Sequence, residues 1–290
     1  MQPHYRDPLP LGDPGGLPYS KGMMARALVA AGVGIVSAYE IATRLELELL
    51  AGGSRAVELE RLEQTAADVL GETEGERVVI RLRRLVALQG LDKPILLLVG
   101  GATGTGKSTV ATEAAHRLGI TRVTSTDFIR QTIRAYFPPS EMPSVHASSF
   151  ETGAVEGFLE QSRRVLVGVE ASIERAMTEG WSMAVEGVHL VPGMVPTGVE
   201  GALLVHAVLH VSNIDEHRSH FVIRDSTTGG TRALEKYIDG LDEIRVLQAL
   251  IVERAAESGV PVIESTSLEH ATGEVIDLVL AGSEQLAAAL

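Results

Sequence analysis

The stretch Gly101-Ala102-Thr103-Gly104-Thr105-Gly106-Lys107-Ser108-Thr109 most constrains what this chain can fold into. It satisfies the phosphate-loop pattern G-x-x-x-x-G-K-[ST] at every fixed position. The run Ile95-Leu96-Leu97-Leu98-Val99 ahead of it is unbroken apolar sequence and predicts a fully buried strand. Behind it, Thr109 to Leu118 predicts a helix, with Val110, Ala114 and Leu118 at helical spacing. Three glycines let the backbone curl so that its N–H groups share one concavity. The helix N-terminus adds its dipole, and together they suit a triphosphate tail. In that arrangement Lys107 reaches the β- and γ-phosphates and Ser108 sets its hydroxyl on Mg²⁺. Gly101 through Thr109 are therefore the candidate nucleotide-binding residues, and ATP and Mg²⁺ the expected cofactors.

The rest of the chain alternates strands and helices. Strands are predicted at 95–100, 122–125, 182–186, 203–211 and 261–264. Helices are predicted at 107–118, 127–136, 154–179, 213–224, 233–258 and 268–288. This implies an α/β fold of the P-loop NTPase kind, kinase-like, with a five-stranded, mostly parallel sheet covered by helices. Ahead of it, four helical patterns run from Ser20 to Gly32, through Tyr39–Leu49 to Gly52-Gly53, through Leu59–Leu70, and from Val79 to near Gly90. Asp92-Lys93-Pro94 is the predicted boundary. The expected domains are a small helical module at 1–92 and a P-loop kinase domain at 93–290.

Composition removes several function classes. The net charge of −13 makes nucleic acid an unexpected partner. The absence of cysteine excludes disulfides, thiol catalysis and cysteine-ligated zinc. No apolar run approaches the roughly 20 residues needed to cross a bilayer, so no membrane partner is expected. The N-terminus lacks a basic region followed by an apolar core, and a cytoplasmic protein is expected.

In such sheets the chemistry lies beyond the carboxyl ends of the strands. Asp127 follows the second strand, either as a bare helix cap or as a carboxylate that takes a hydroxyl proton or helps hold the metal. Arg130 and Arg134 share its helix face and suit a phosphate or carboxylate on the acceptor. Glu186 ends the third strand, where an acid holds Mg²⁺ through water or orients the acceptor. His189, three residues on, is either a substrate contact or a packed histidine. After the fourth strand come His217, Arg218, His220, Arg224, Arg232 and Lys236. This run reads either as a solvated helix or as a lid whose arginines, Arg218 for the transferred phosphoryl and Arg224 for the nucleotide, neutralise charge and exclude water. Backbone after the fifth strand, around Ser265-Thr266, could cradle adenine. His206 and His210 face one way on a strand but lie roughly 13 Å apart, too far to share an ion.

The sequence resembles the 2-phosphoglycerate kinase family of P-loop small-molecule kinases. The resemblance is carried by Pro18-Tyr19-Ser20-Lys21-Gly22, Ala38-Tyr39-Glu40-Ile41-Ala42, Gly100 through Thr109, Ser125-Thr126-Asp127-Phe128-Ile129-Arg130, and Glu186-Gly187-Val188-His189-Leu190-Val191-Pro192-Gly193. It covers most of the chain, and its N-terminal part is similar to an ATP-cone module. It implies transfer of the ATP γ-phosphoryl to the 3-hydroxyl of 2-phosphoglycerate. Lys107 and Ser108 would then bind ATP–Mg²⁺, Asp127 would activate the hydroxyl, and Arg130 and Arg134 would hold the acceptor's phosphate or carboxylate. Other small phosphorylated acids, sugar acids or polyols are the alternative acceptors. A regulatory ATP-binding switch is the alternative function. The helical module is expected to bind nucleotide, to pack against the kinase domain, or to form a homo-oligomer.

Overall fold

The computed structural model describes residues 19–53, 56–91, 93–153, 155–228 and 234–288. The chain divides into two compact units: residues 1–92 with 117–119 and 277–290, and residues 93–116 with 120–276. The sequence had placed 277–290 with the kinase domain; that end of the last helix clusters with the helical unit instead.

The first unit contains α1 (Lys21–Ala30), α2 (Ile35–Gly52), α3 (Leu59–Leu70) and α4 (Glu72–Gly90). Ser20 caps α1 by accepting from the Met23 amide, and Gly53 closes α2 in the left-handed region. Met24, Leu28, Ile41, Leu45, Leu62 and Leu82 are completely buried and form its core. Arg81 on α4 grips Asp277 with two bonds of 2.9 and 2.6 Å, and Arg84 meets Glu284 at 3.0 Å. Those pairs are a physical reason why residues from Asp277 onward join this unit.

The second unit is built on five strands: β1 (Ile95–Gly101), β2 (Val123–Ser125), β3 (Met183–Glu186), β4 (Leu203–His210) and β5 (Val262–Glu264). All pairs are parallel and the spatial order is β2-β3-β1-β4-β5. Its helices are α5 (Lys107–Arg117), α6 (Thr126–Tyr136), α7 (Val155–Glu179), α8 (Ile214–Thr228), α9 (Leu234–Asp239), α10 (Leu241–Ser258) and the start of α11 (Leu268–Ala288). The helix expected over 233–258 is two helices. They part at Gly240, where an added Cβ would come within 2.7 Å of the Phe150 ring. The continuous apolar run of β1 is explained by burial on both sides. Leu96 and Leu98 pack against α7 through Val169 and Ile173, and Leu97 and Val99 on the opposite face are equally inaccessible. On the α7 side, Val208 of β4 meets Leu247 and Ile251 of α10.

From β1 the chain runs past β3 to β2, and from β3 it runs back past β1 to β4, so the connections leaving these two neighbouring strands go to opposite sides. The connections part there, beyond the carboxyl end of β1, and open a crevice at the phosphate loop. Among the described residues, no helix is long and apolar enough to cross a membrane.

Candidate active site

A cavity of about 730 Å³ opens at these strand ends, within the range of small-molecule sites. Thr103, Gly104, Gly106, Lys107, Ser108 and Thr109 wall it from the loop. Asp127 and Arg130 wall it from α6, Glu186 from β3, and Ser148, Ser149 and Phe150 from the segment before α7. His220, Ile223 and Tyr237 border it, as do Ser265, Thr266 and Leu268 after β5. One cavity therefore gathers Lys107, Ser108, Asp127, Arg130 and Glu186 from three strand ends.

The loop takes its shape from its glycines. Gly104 has φ +87°, and a Cβ there would sit 2.4 Å from the Phe221 ring. Gly101, Ala102 and Thr105 lie buried behind the wall. The Ala102 carbonyl accepts from Lys107 Nζ at 2.6 Å and from Thr105 Oγ1 at 3.0 Å. Lys107 is thereby held folded back over the loop, its side chain largely buried.

Asp127 stands at the start of α6, but it is not the cap. Ser125 caps the helix by accepting from the Phe128 amide at 3.1 Å. The Asp127 carboxylate is exposed to the cavity, and Arg130 approaches it at 3.3 Å. Arg130 NH1 also donates to the carbonyls of Val145 and Ala147, at 3.2 and 3.0 Å. So Arg130 both borders the cavity and ties down the segment that forms its far wall.

His189 does not line the cavity. It is fully buried, with Nδ1 2.8 Å from Thr126 Oγ1 and Nε2 3.0 Å from Gln161 Oε1. Gln161 spends its amide N–H groups on the carbonyls of Ser144 and Ala147, at 2.6 and 3.0 Å. Its oxygen must then accept from His189 Nε2–H, which leaves Nδ1 to accept from the Thr126 hydroxyl. Burial pushes the imidazole pKa down to about 3, against a raising influence from Asp127, so the ring is neutral as this chain of bonds requires. The two readings of His189 resolve toward the packed one. Gly187 makes this possible: Thr126 Oγ1 occupies the place its Cβ would take, at 1.8 Å.

Two predicted arginines are placed otherwise. Arg134 lies outside the cavity wall and donates to Gln131 at 3.2 Å, because it is two turns along α6 from Asp127. Arg218 is half-exposed and paired with Asp215 at 2.9 Å, also outside the wall. The inward face of α8 is formed by His217, His220 and Phe221 instead. The Arg224 side chain lies outside the described residues, as does Arg232 with Gly229 and Gly230. Lys236 pairs with Glu151 at 2.7 Å. His206 and His210 make no common site: His206 is half-buried, and His210 meets Glu264 at 3.1 Å.

Sequence reasoning missed Gln161, Ser148, Ser149, Phe150 and Tyr237. Gln161 had a signal: it is a polar residue on the apolar stripe of α7, between Phe158 and Val165. The others come from a loop and a short helix without local pattern.

The chain is 34% identical over 275 residues to the 2-phosphoglycerate kinase of Pyrococcus furiosus, covering 91% of this chain and 90% of that one. It is 34% identical over 283 residues to the 2-phosphoglycerate kinase of Pyrococcus horikoshii, covering 93% and 92%. The 2-phosphoglycerate kinase of Methanopyrus kandleri is 33% identical over 278 residues, covering 91% and 84%. Among solved structures, a shikimate kinase from Bacteroides thetaiotaomicron matches with TM-score 0.30 and 16% identity, over 68% of this chain and 97% of that one. No family model matches the chain.

Proposed function

The chain belongs to the 2-phosphoglycerate kinase family, and from that premise we propose that it moves the γ-phosphoryl of ATP to the 3-hydroxyl of 2-phosphoglycerate, giving 2,3-bisphosphoglycerate. It is an ATP-dependent small-molecule kinase. The observation that carries the finer reading is the shared cavity, in which the phosphate loop faces Asp127, Glu186 and Arg130.

In this reading the loop amides and Lys107 hold the donor phosphates and offset the charge that develops on the transferred group. The bond from the γ-phosphorus to the β,γ-bridging oxygen breaks, and a bond to the acceptor oxygen forms. The hydroxyl proton passes to the Asp127 carboxylate, and ADP departs with the bond's electron pair. Arg130 faces the acceptor's anionic groups, and Ser148 and Ser149 supply hydroxyls on the same side.

The donor set fits Mg²⁺. Ser108, Asp127 and Glu186 offer only oxygen, and among the described residues no group of three His, Cys, Asp or Glu forms a closed cage. Mg²⁺ keeps several waters and needs few protein ligands beside substrate phosphates. When bound it would neutralise the β- and γ-oxygens.

The test mixes purified protein with Mg-ATP and 2-phosphoglycerate and follows phosphorus NMR. The expected result is a bisphosphoglycerate signal growing in step with ADP. Unspent ATP with 2-phosphoglycerate, but turnover with another phosphorylated acid, sugar acid or polyol, would replace the acceptor. Slow hydrolysis that no small molecule stimulates would favour the regulatory switch.

A further inference from the structure

Three successive carbonyls of the phosphate loop are each held by a side chain. Ala102 is held by Lys107 and Thr105, as described. The Thr103 carbonyl is 2.8 Å from His217 Nε2, and the Gly104 carbonyl is 2.9 Å from His220 Nδ1. A carbonyl only accepts, so each of those ring nitrogens carries the hydrogen. The two histidines are three residues apart on α8, one helical turn, which lets both reach adjacent peptides of the loop.

In a trans peptide the N–H of the next residue points opposite to the carbonyl. Holding the Ala102 and Thr103 carbonyls therefore aims the N–H groups of Thr103 and Gly104 away from their donors, and both residues border the cavity, whereas holding the Gly104 carbonyl turns the Thr105 N–H to the Ala102 carbonyl at 3.4 Å and so braces the turn that carries them. Phe221 fixes the same turn of α8 by lying over Gly104, and it stacks between His217 and Tyr237 at centroid separations of 5.5 and 5.3 Å. His217 is completely buried, so no solvent can stand in for its N–H. Its Nδ1 has no partner among the described residues, and burial pushes its pKa below the ordinary histidine value. Both facts match a neutral ring with its hydrogen on Nε2.

We propose that His217 and His220 are positioning residues that set the phosphate loop in its anion-binding form by taking up the carbonyls of Thr103 and Gly104. The inference rests on reading that loop as the ATP site. It assigns α8 a role that neither its arginines nor a general lid supplies.

The test uses the full chain and the position of one nitrogen. His217→Leu and His220→Leu delete the donors. His217→Gln puts an amide nitrogen near the place of Nε2, and His220→Asn near the place of Nδ1. Calorimetric titration with Mg-ADP is read beside the KM for ATP, kcat and the melting temperature. Each Leu variant should bind Mg-ADP about tenfold or more weakly, the cost of an orphaned carbonyl in the bound loop. KM for ATP should rise more than kcat falls, and the amide variants should return to within roughly threefold of the parent. If His217→Leu does not fold, His220→Leu, at a partly exposed position, decides alone. Folded Leu variants that bind Mg-ADP like the parent would overturn the proposal. So would amide variants as weak as the Leu variants, since the imidazoles would then only fill space. A parent protein that binds no Mg-ADP would overturn the nucleotide reading itself, and this proposal with it.

Discussion

Replacing Gly187 by alanine probes the site through one added atom that meets Thr126. The new Cβ would fall 1.8 Å from Thr126 Oγ1 and 2.7 Å from Thr126 Cβ, and Gly187 has φ +153°, a conformation L side chains rarely adopt. Thr126 is fully buried and gives its hydroxyl to His189 Nδ1 at 2.8 Å. If Thr126 turns away, that nitrogen is left buried without a donor, which costs about 1–3 kcal/mol. Backbone strain adds about 1–3 kcal/mol. The sum centres near ~4 kcal/mol, and at roughly 2–4 °C per kcal/mol the melting temperature should fall by about 8–16 °C. Thr126 precedes Asp127, so a shift at the start of α6 moves the carboxylate proposed to take the proton. A displacement near 1 Å can cost on the order of a hundredfold in turnover. Thermal melting and steady-state kinetics of Gly187→Ala, Thr126→Ala and the double variant form the assay. Thr126→Ala already orphans His189, so the double variant should be less destabilised than the sum by about 1–3 kcal/mol. Additivity within about 0.5 kcal/mol, or a Gly187→Ala protein that melts and turns over like the parent, would refute the reasoning.

Lys107→Ala should lower kcat/KM by on the order of a hundredfold or more, whereas Asp127→Asn should still bind Mg-ATP in a calorimeter yet transfer almost nothing. Arg218→Ala should stay within about twofold of the parent in kcat and KM, because that side chain faces Asp215 outside the cavity. His189 and His206 are held by burial at about 3 and about 4, below the ordinary value of 6.5. Between those values the unfolded chain binds more protons than the folded one, so stability falls as pH drops below about 6.5, at up to about 1.4 kcal/mol per pH unit for each ring. Urea midpoints measured from pH 7 to pH 5 check this, and a flat profile would mean the rings are not buried neutral.

The parts of the site that the sequence disclosed are those whose physics is local. A phosphate loop needs its glycines, its lysine and its hydroxyl in fixed succession, so Gly101 to Thr109 could be read directly, as could the buried strand before them. Glu186 was legible for the same reason, since a carboxylate closing an apolar strand is placed by the strand itself. The charged run on α8 misled because charge was weighed without helical phase. Positions 217, 220 and 221 share one face, which puts Arg218 about a quarter turn away, and the contacts of His217, His220 and Phe221 show that their face meets the loop. Asp127 was weighed as a cap because it follows a strand, yet the structure extends α6 one residue further back and gives the cap to Ser125. The far wall was invisible for a deeper reason. Ser148 to Phe150 have no periodicity, and what holds them are bonds from Gln161 and Arg130, on other helices, to carbonyls of residues that precede them. A buried polar side chain on an apolar stripe must find partners or cost several kcal/mol. Gln161 therefore announces a partner without naming it; here the partners are a backbone segment and a histidine that tie the far wall of the cavity to the helix carrying Asp127. That bond chain is the step from sequence to site that only the fold could supply, and the Gly187→Ala and Thr126→Ala cycle measures its strength at the Thr126 end.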